Sequence, residues 1–136
     1  MIVGIGHDIC AIERIENMLQ KRGDQFVSKH LSPNEQNALK DIATPKHAAH
    51  IAKRWAAKEA VAKALGTGIR DDIYLKDIEI LNNEWGAPYV TLYNGALKQL
   101  EIMTPKEYDN TILISLSDDN NLASAFLRCS WKVCAL

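Results

Sequence analysis

Apolar residues recur along this chain with two different periods, and the period separates strand-like from helix-like segments. Strands are predicted where short segments are apolar throughout or alternate between apolar and polar residues, over 2–7, 76–82, 88–92, 111–117 and 122–128. Helices are predicted where apolar residues recur every three or four positions, or where capping residues and alanine dominate, over 11–22, 33–42, 45–65 and 94–103. A shorter helical turn is predicted at 26–31.

Local signals place the ends of these elements. Asp8 is expected to end the first strand, and Gly23 to close the first helix. Ser32, followed by proline and then Glu35, has the pattern of a capping box at a helix start. The run of acids and amides over 118–121 predicts a hairpin turn. The pattern as a whole predicts an α+β fold with helices packed on a mainly antiparallel sheet.

Length and composition are those of a single globular domain. The chain has 136 residues, 47% of them apolar and 24% charged, so one domain over 1–136 is predicted. Cys10, Cys129 and Cys134 form no CxxC pair, which predicts free thiols in a reducing cytoplasm. No signal peptide is evident, and no apolar run approaches the roughly 20 residues that span a bilayer. We therefore expect no membrane contact.

The net charge of −1 conceals an uneven distribution. It is −1 over residues 1–39, +5 over 40–70 and −5 over 71–136. The near-zero total argues against a generally basic nucleic-acid binder. The basic middle segment is either a solvated helix face or a site for a small polyanion.

Residues 54–68 combine charged and small side chains on one predicted helix. Arg54 and Lys58 share a face, and Glu59 lies one turn before Lys63. The simpler interpretation of Glu59 and Lys63 is a surface ion pair worth about 0.3–0.5 kcal/mol. Alternatively, the cations hold a phosphate chain and the carboxylate holds a divalent metal.

Two further features also allow two interpretations each. Asp8 is placed to act either as a metal ligand at the end of a buried strand or as an N-cap of the next helix. The Gly66-Thr67-Gly68 turn either caps the helix C-terminus or brings backbone N–H groups to an anion.

The first helix carries cations beside a methionine and an aromatic residue. Residues at spacings of four, three and four line one face, and two more lie beside them: Arg14, Met18, Lys21 and Gln25, with Arg22 and Phe26. Such a stripe suits the docking of an acidic amphipathic helix. An ordinary solvent face, with Met18 joining the core, is equally compatible with the pattern.

Four segments together resemble the signature blocks of a known family. They read IVGIGHDI followed by IERI over 2–15, RWAAKEA and KALGTGI over 54–69, GAP over 86–88 and ISLS over 114–117. In this order they resemble the holo-acyl-carrier-protein synthases, the small bacterial 4′-phosphopantetheinyl transferases. The second block is the most specific, and the match spans almost the whole chain. The expected fold is that of a 4′-phosphopantetheinyl transferase.

The resemblance implies a reaction and the residues that perform it. The 4′-phosphopantetheine arm of coenzyme A moves to a serine hydroxyl of apo-acyl-carrier protein, and adenosine 3′,5′-bisphosphate is released. Asp8 and Glu59 are the implied ligands of Mg²⁺. Glu59 and Lys63 are the implied catalytic residues, as candidate base and as pyrophosphate contact. The implied coenzyme A contacts are Arg54, Lys58, Lys63, Gly66, Thr67, Gly68 and Pro88.

The resemblance also implies partners. The acidic carrier protein docks on the first helix through Arg14, Met18, Lys21, Arg22, Gln25 and Phe26. A homotrimer with active sites between subunits is expected. Asp118 departs from the family pattern, because many members have His after the Ser-x-Ser of the fourth block.

Two other functions compete with this one. A non-catalytic module that binds coenzyme A or another nucleotide would not need the carboxylate pair. A weak RNA-binding domain is disfavoured, since Trp55 is the only aromatic residue of the basic segment and offers no stacking platform.

Overall fold

The computed structural model describes residues 1–70 and 72–134. Its strands are β1 (Ile2–Ala11), β2 (Ile78–Asn82), β3 (Pro88–Leu92), β4 (Tyr108–Asp119) and β5 (Leu122–Val133). Its α-helices are α1 (Ile12–His30), α2 (Pro33–Leu39), α3 (His47–Ala64) and α4 (Asn94–Met103), and 3₁₀ turns lie at Thr44–Lys46 and Leu75–Asp77. The predicted α+β fold is confirmed.

Both sheets are antiparallel, and α3 packs against them. One sheet has the order β1-β5-β4, and the other is the hairpin β2-β3. Gly4 and Gly6 of β1 lie directly against the backbone of α3 at Ala64 and Ala60, where any Cβ would collide with a carbonyl oxygen. The strand and the helix therefore meet at backbone contact, which positions the side chains that follow in β1.

Several predicted boundaries are wrong. β1 continues past Asp8 to Ala11, because its pairing with β5 continues to Leu122. α1 does not end at Gly23; the glycine kinks it, with φ 40° and ψ −114°, and the helix resumes to His30. β4 and β5 are longer than predicted, since each supplies the other's hydrogen bonds along its length. The predicted helix over 33–42 ends at Leu39.

A buried lysine joins α2, α3 and the start of β2. Lys58 is fully buried, and its ammonium donates to Glu35 Oε2 at 2.7 Å and to the carbonyls of Leu75 and Ile78 at 2.8 and 2.6 Å. Glu35 also completes the predicted capping box with Ser32. Each partner thus satisfies the other where neither has access to water.

The face of the three-stranded sheet that points away from α3 carries exposed apolar side chains. Five of them are more than half exposed: Ile5, Ile9, Leu113, Leu122 and Phe126. We call these five residues the outer sheet face. The register places polar residues between them, including His7, Ser124 and Arg128, so the surface is mixed and not an unbroken apolar patch. Exposed apolar side chains gathered on one face are typical of a surface that meets a partner.

Within the described residues, no helix is both long enough and apolar enough to cross a membrane.

Candidate active site

Asp8, Glu59 and Lys63 come together where β1 crosses α3. Asp8 lies on the helix-facing side of the sheet, in register with Ala125 of β5. Lys63 donates to Asp8 Oδ1 at 2.7 Å and to the carbonyl of His7 at 3.1 Å. The side chains of Asp8 and Lys63 are 21% and 52% exposed, so a ligand can reach both from solvent.

This placement decides between the interpretations of Asp8 and Lys63. Asp8 lies inside β1 and is not an N-cap; the N-cap of α1 is Ala11, which makes no side-chain cap. Instead, the N–H of Ile12 donates to the carbonyl of Asn121 at 2.8 Å. Lys63 forms its ion pair with Asp8 across two elements rather than with Glu59 along the helix.

Glu59 lies in a field of mixed sign. Burial raises the pKa of its carboxyl above the usual range, and the Asp8 carboxylate raises it further. Lys63 and Arg14 oppose the shift. Asp8 and Glu59 are thus close enough to repel each other, which a cation between them would relieve.

The donor set fits a cation that keeps part of its water shell. No cluster of three or more His, Cys, Asp or Glu residues that could hold a metal occurs among residues 1–70 and 72–134. A metal that needs four protein ligands is therefore not suited to this site. Mg²⁺ is suited, because it binds through one or two carboxylates and completes its coordination with water and substrate phosphate.

The turn after α3 caps the helix and does not present its N–H groups to a ligand. The N–H of Gly66 donates to the carbonyl of Lys63, and those of Thr67 and Gly68 donate to the carbonyl of Ala62. Both glycines have positive φ, as this cap requires. The capping interpretation is correct, and anion binding through these N–H groups is wrong. Contact between the turn's surface and a nucleotide remains a prediction.

The prediction that Lys58 holds a coenzyme A phosphate is wrong. Its side chain has no exposed surface, and three protein acceptors use the donors of its ammonium. A phosphate could bind only by breaking the contact with Glu35, which would leave that carboxylate buried without its cation.

Arg54 lies on the side of α3 that faces β2, away from Lys63. Its Nη2 donates to Asn82 Oδ1 at 2.9 Å, and Asn82 pairs with Pro88 in the β2-β3 hairpin. The guanidinium is buried, and its Nε has no hydrogen-bond partner among the described residues. Within one chain, the predicted coenzyme A contacts Arg54 and Lys63 therefore lie on opposite sides of α3.

The predicted docking stripe is only partly at the surface. Met18 is half-buried against the core. Four members are exposed: Arg14, Lys21, Arg22 and Gln25. Phe26 is 2% exposed and stacks on Trp55, so its predicted contact with a partner is wrong. The kink at Gly23 also separates Gln25 from the helical spacing that placed it in the stripe.

Trp55, to which the sequence motifs assign no role in the site, lies between α1 and α3. Its ring stacks on Phe26, meets His30 edge-on and carries the guanidinium of Arg14 at 5.4 Å from the ring centroid. The sequence does contain an indication that Trp55 lies near the site. Trp55 is one helical turn before Glu59, so the two side chains occupy neighbouring parts of the helix surface.

Asp118 has a local partner at the surface. Its Oδ1 lies 2.8 Å from Lys53 Nζ of α3, and both side chains are partly exposed. The Asp118 carboxylate thus joins the end of β4 to α3 in this chain.

Comparison with protein families identifies close relatives over nearly the whole length. A family model described as the 4′-phosphopantetheinyl transferase superfamily matches residues 4–122. A holo-[acyl-carrier-protein] synthase of Caulobacter vibrioides is 41% identical over 127 residues, covering 93% of this chain and 94% of the relative. One from Orientia tsutsugamushi is 45% identical over 126 residues, covering 93% and 95%.

Solved structures agree with these relatives. The holo-[acyl-carrier-protein] synthase of Neisseria meningitidis has a TM-score of 0.81 at 33% identity, covering 96% of this chain and 99% of that one. The Helicobacter pylori protein of the same name, in complex with coenzyme A, has a TM-score of 0.76 at 31% identity, covering 93% and 99%.

Proposed function

This chain belongs to the 4′-phosphopantetheinyl transferase superfamily, and on that premise we propose that it is a holo-acyl-carrier-protein synthase. It transfers the 4′-phosphopantetheine group of coenzyme A to a serine hydroxyl of apo-acyl-carrier protein and releases adenosine 3′,5′-bisphosphate. The observation that carries the proposal is the meeting of Asp8, Glu59 and Lys63 at the crossing of β1 and α3.

The transfer is a phosphoryl-type displacement. The serine oxygen forms a bond to the phosphorus next to pantetheine, the bond from that phosphorus to the bridging oxygen breaks, and the bisphosphate leaves with the electron pair. Negative charge grows on the leaving phosphate, and Lys63 is the cation placed to stabilise it. Glu59 accepts the serine proton, directly or through a water.

We assign Asp8 and Glu59 as the residues that hold Mg²⁺. When bound, the ion supplies positive charge to the pyrophosphate oxygens. The support is the repulsion between the two carboxylates, together with their access to solvent.

The carrier protein docks on the first half of α1. Arg14, Lys21 and Arg22 are exposed cations before the Gly23 kink, and an acidic helix is their complement. A cavity of about 410 Å³ beside them is lined by Arg14, Met18 and Lys21, together with Ala11, Asn17 and the carboxylate of Glu13. We expect these charges to act mainly on the encounter rate and orientation.

Two observations support an assembly of copies with sites between subunits, which we propose to be a homotrimer. The outer sheet face carries exposed apolar residues that a second copy could cover. Arg54 contacts the β2-β3 hairpin on the side of α3 away from Lys63, so one coenzyme A could meet both residues if a neighbouring copy supplied one of them. The free thiols Cys10, Cys129 and Cys134 support a cytoplasmic location, where the enzyme would serve fatty acid biosynthesis.

The direct test is to incubate the protein with coenzyme A, Mg²⁺ and apo-acyl-carrier protein and to weigh the carrier by mass spectrometry. We expect a mass gain of one phosphopantetheine group, dependent on the metal. Glu59→Gln should reduce the rate at least ~100-fold while circular dichroism stays unchanged. No gain of mass beside an active control enzyme, or near-normal turnover by Glu59→Gln, would contradict the proposal.

A further inference from the structure

An aromatic cluster lies between the proposed docking surface and the proposed catalytic centre. Trp55 and Phe26 stack with centroids 5.6 Å apart and planes 16° apart. His30 meets Trp55 edge-on at 5.0 Å and Phe26 at 4.9 Å. Because Phe26 is buried and Trp55 is half-buried, the indole is held from one side and keeps part of its surface open.

The guanidinium of Arg14 lies over this ring. Its Cζ is 5.4 Å from the centroid of the Trp55 ring, within the range of a cation–π contact. Arg14 forms no ion pair with another side chain among the described residues, although Glu13 and Glu16 are close to it in sequence. The ring is therefore the contact that fixes the direction of this long side chain.

Arg14 also connects the docking surface with the catalytic carboxylate. It is exposed on α1, in the cavity lined by Met18 and Lys21. It is also near enough to Glu59 to lower the pKa of that carboxyl. Arg14 is thus a residue of the proposed docking surface that also lies near Glu59.

We propose that Trp55 is a positioning residue that acts through Arg14. The face of the indole holds the guanidinium toward the incoming acidic carrier and beside Glu59, without itself touching either substrate. The inference rests on the proposed function, because transfer to the carrier is its readout. It predicts that Trp55 determines carrier recognition and leaves coenzyme A recognition unchanged.

The test compares Trp55→Met, which keeps much of the apolar volume but removes the ring, with Trp55→Phe, which keeps a ring. We expect Trp55→Met to raise KM for the carrier about 3- to 10-fold, with kcat and KM for coenzyme A within about two-fold. Trp55→Phe should recover most of the carrier affinity. Both variants are measured below their melting temperatures, with Trp55→Leu as the substitute if Trp55→Met does not fold.

A double-mutant cycle separates positioning from packing. In an Arg14→Gln background, Trp55→Met should change KM for the carrier by less than two-fold, since the group that it positions is gone. A full effect that persists in that background, or a loss shared by kcat and both KM values, would overturn the inference. Unmodified protein that transfers nothing would contradict the proposed function instead, so the two failures can be told apart.

Discussion

Lys58 and Glu59 are consecutive residues of α3 that lie in opposite environments. Lys58 points into the protein, and burial lowers the pKa of its ammonium, which Glu35 opposes. Glu59 points toward Asp8 and stays partly exposed. One residue thus holds the helix in place while its neighbour is available for chemistry, so the same helix anchors the fold and carries the site.

Removal of the buried cation should destabilise the protein strongly. Lys58→Met leaves Glu35 buried without its cation, and we expect the free energy of unfolding to fall by about 3–5 kcal/mol. Urea denaturation measures the loss. The matched control is Lys53→Met, whose partner Asp118 is exposed, with an expected change below about 1 kcal/mol. Equal losses in the two variants would show that burial does not set the cost.

The burial of individual side chains could not be predicted from the sequence. Asp8, Glu59 and Lys63 were assigned together from their motif, and the structure does bring them together. The resemblance assigned Lys58 to a coenzyme A phosphate, and helical spacing put Phe26 beside the docking stripe. The segments that cover both residues are distant in the chain. Lys58 is covered by carbonyls 17 and 20 residues away, and Phe26 by a tryptophan on another helix.

Among the elements, the contact between β1 and α3 determines the site. Because Gly4 and Gly6 have no side chains, the strand lies against the helix backbone, and the carboxylate of Asp8 comes within 2.7 Å of Lys63 Nζ. The sequence predicted the strand and the helix but not the contact between them. It also predicted that β1 ends at Asp8, the residue whose carboxylate this contact positions. The true end of β1 is set by its pairing with β5, which lies more than 100 residues away in the chain.

A methyl group at this contact should separate the catalytic residues. In Gly6→Ala the new Cβ would collide with the backbone carbonyl of Ala60, which cannot rotate away as a side chain could. We expect stability to fall by about 1–3 kcal/mol and transfer by at least ~100-fold, since small misplacements of reacting groups are costly. Thermal unfolding and the carrier mass assay measure the two effects. Normal transfer by a folded Gly6→Ala protein would show that the crossing does not set the geometry.

At the scale of the whole molecule, the outer sheet face is a surface that the described residues of one chain leave uncovered. Along β5, Ala123, Ala125 and Leu127 lie on the buried side. Leu122 and Phe126 point the other way and are each 51% exposed. Periodicity specifies which residues share a face, but it does not specify whether a face meets a helix, solvent or another copy.

A charge on this face should dissociate the assembly. Phe126→Asp would bury a carboxylate between copies of the proposed trimer. In analytical ultracentrifugation we therefore expect a monomer for this variant and a trimer for the unmodified chain. Transfer should be lost with the assembly. The control is Ile102→Asp, which changes an apolar residue on α4 that is 69% exposed against 51% for Phe126. A monomeric unmodified protein, or a fully active Phe126→Asp monomer, would contradict sites shared between subunits.

The outer sheet face also has a consequence for dosage. If every working site needs two neighbouring copies, the number of sites follows mass action and falls faster than the amount of protein. Halving the expression level near the dissociation constant would remove more than half of the activity. Specific activity should therefore decline on dilution. Adding inactive Glu59→Gln chains to dilute active chains should restore some sites, because an inactive chain can still serve as the neighbouring copy of an active one.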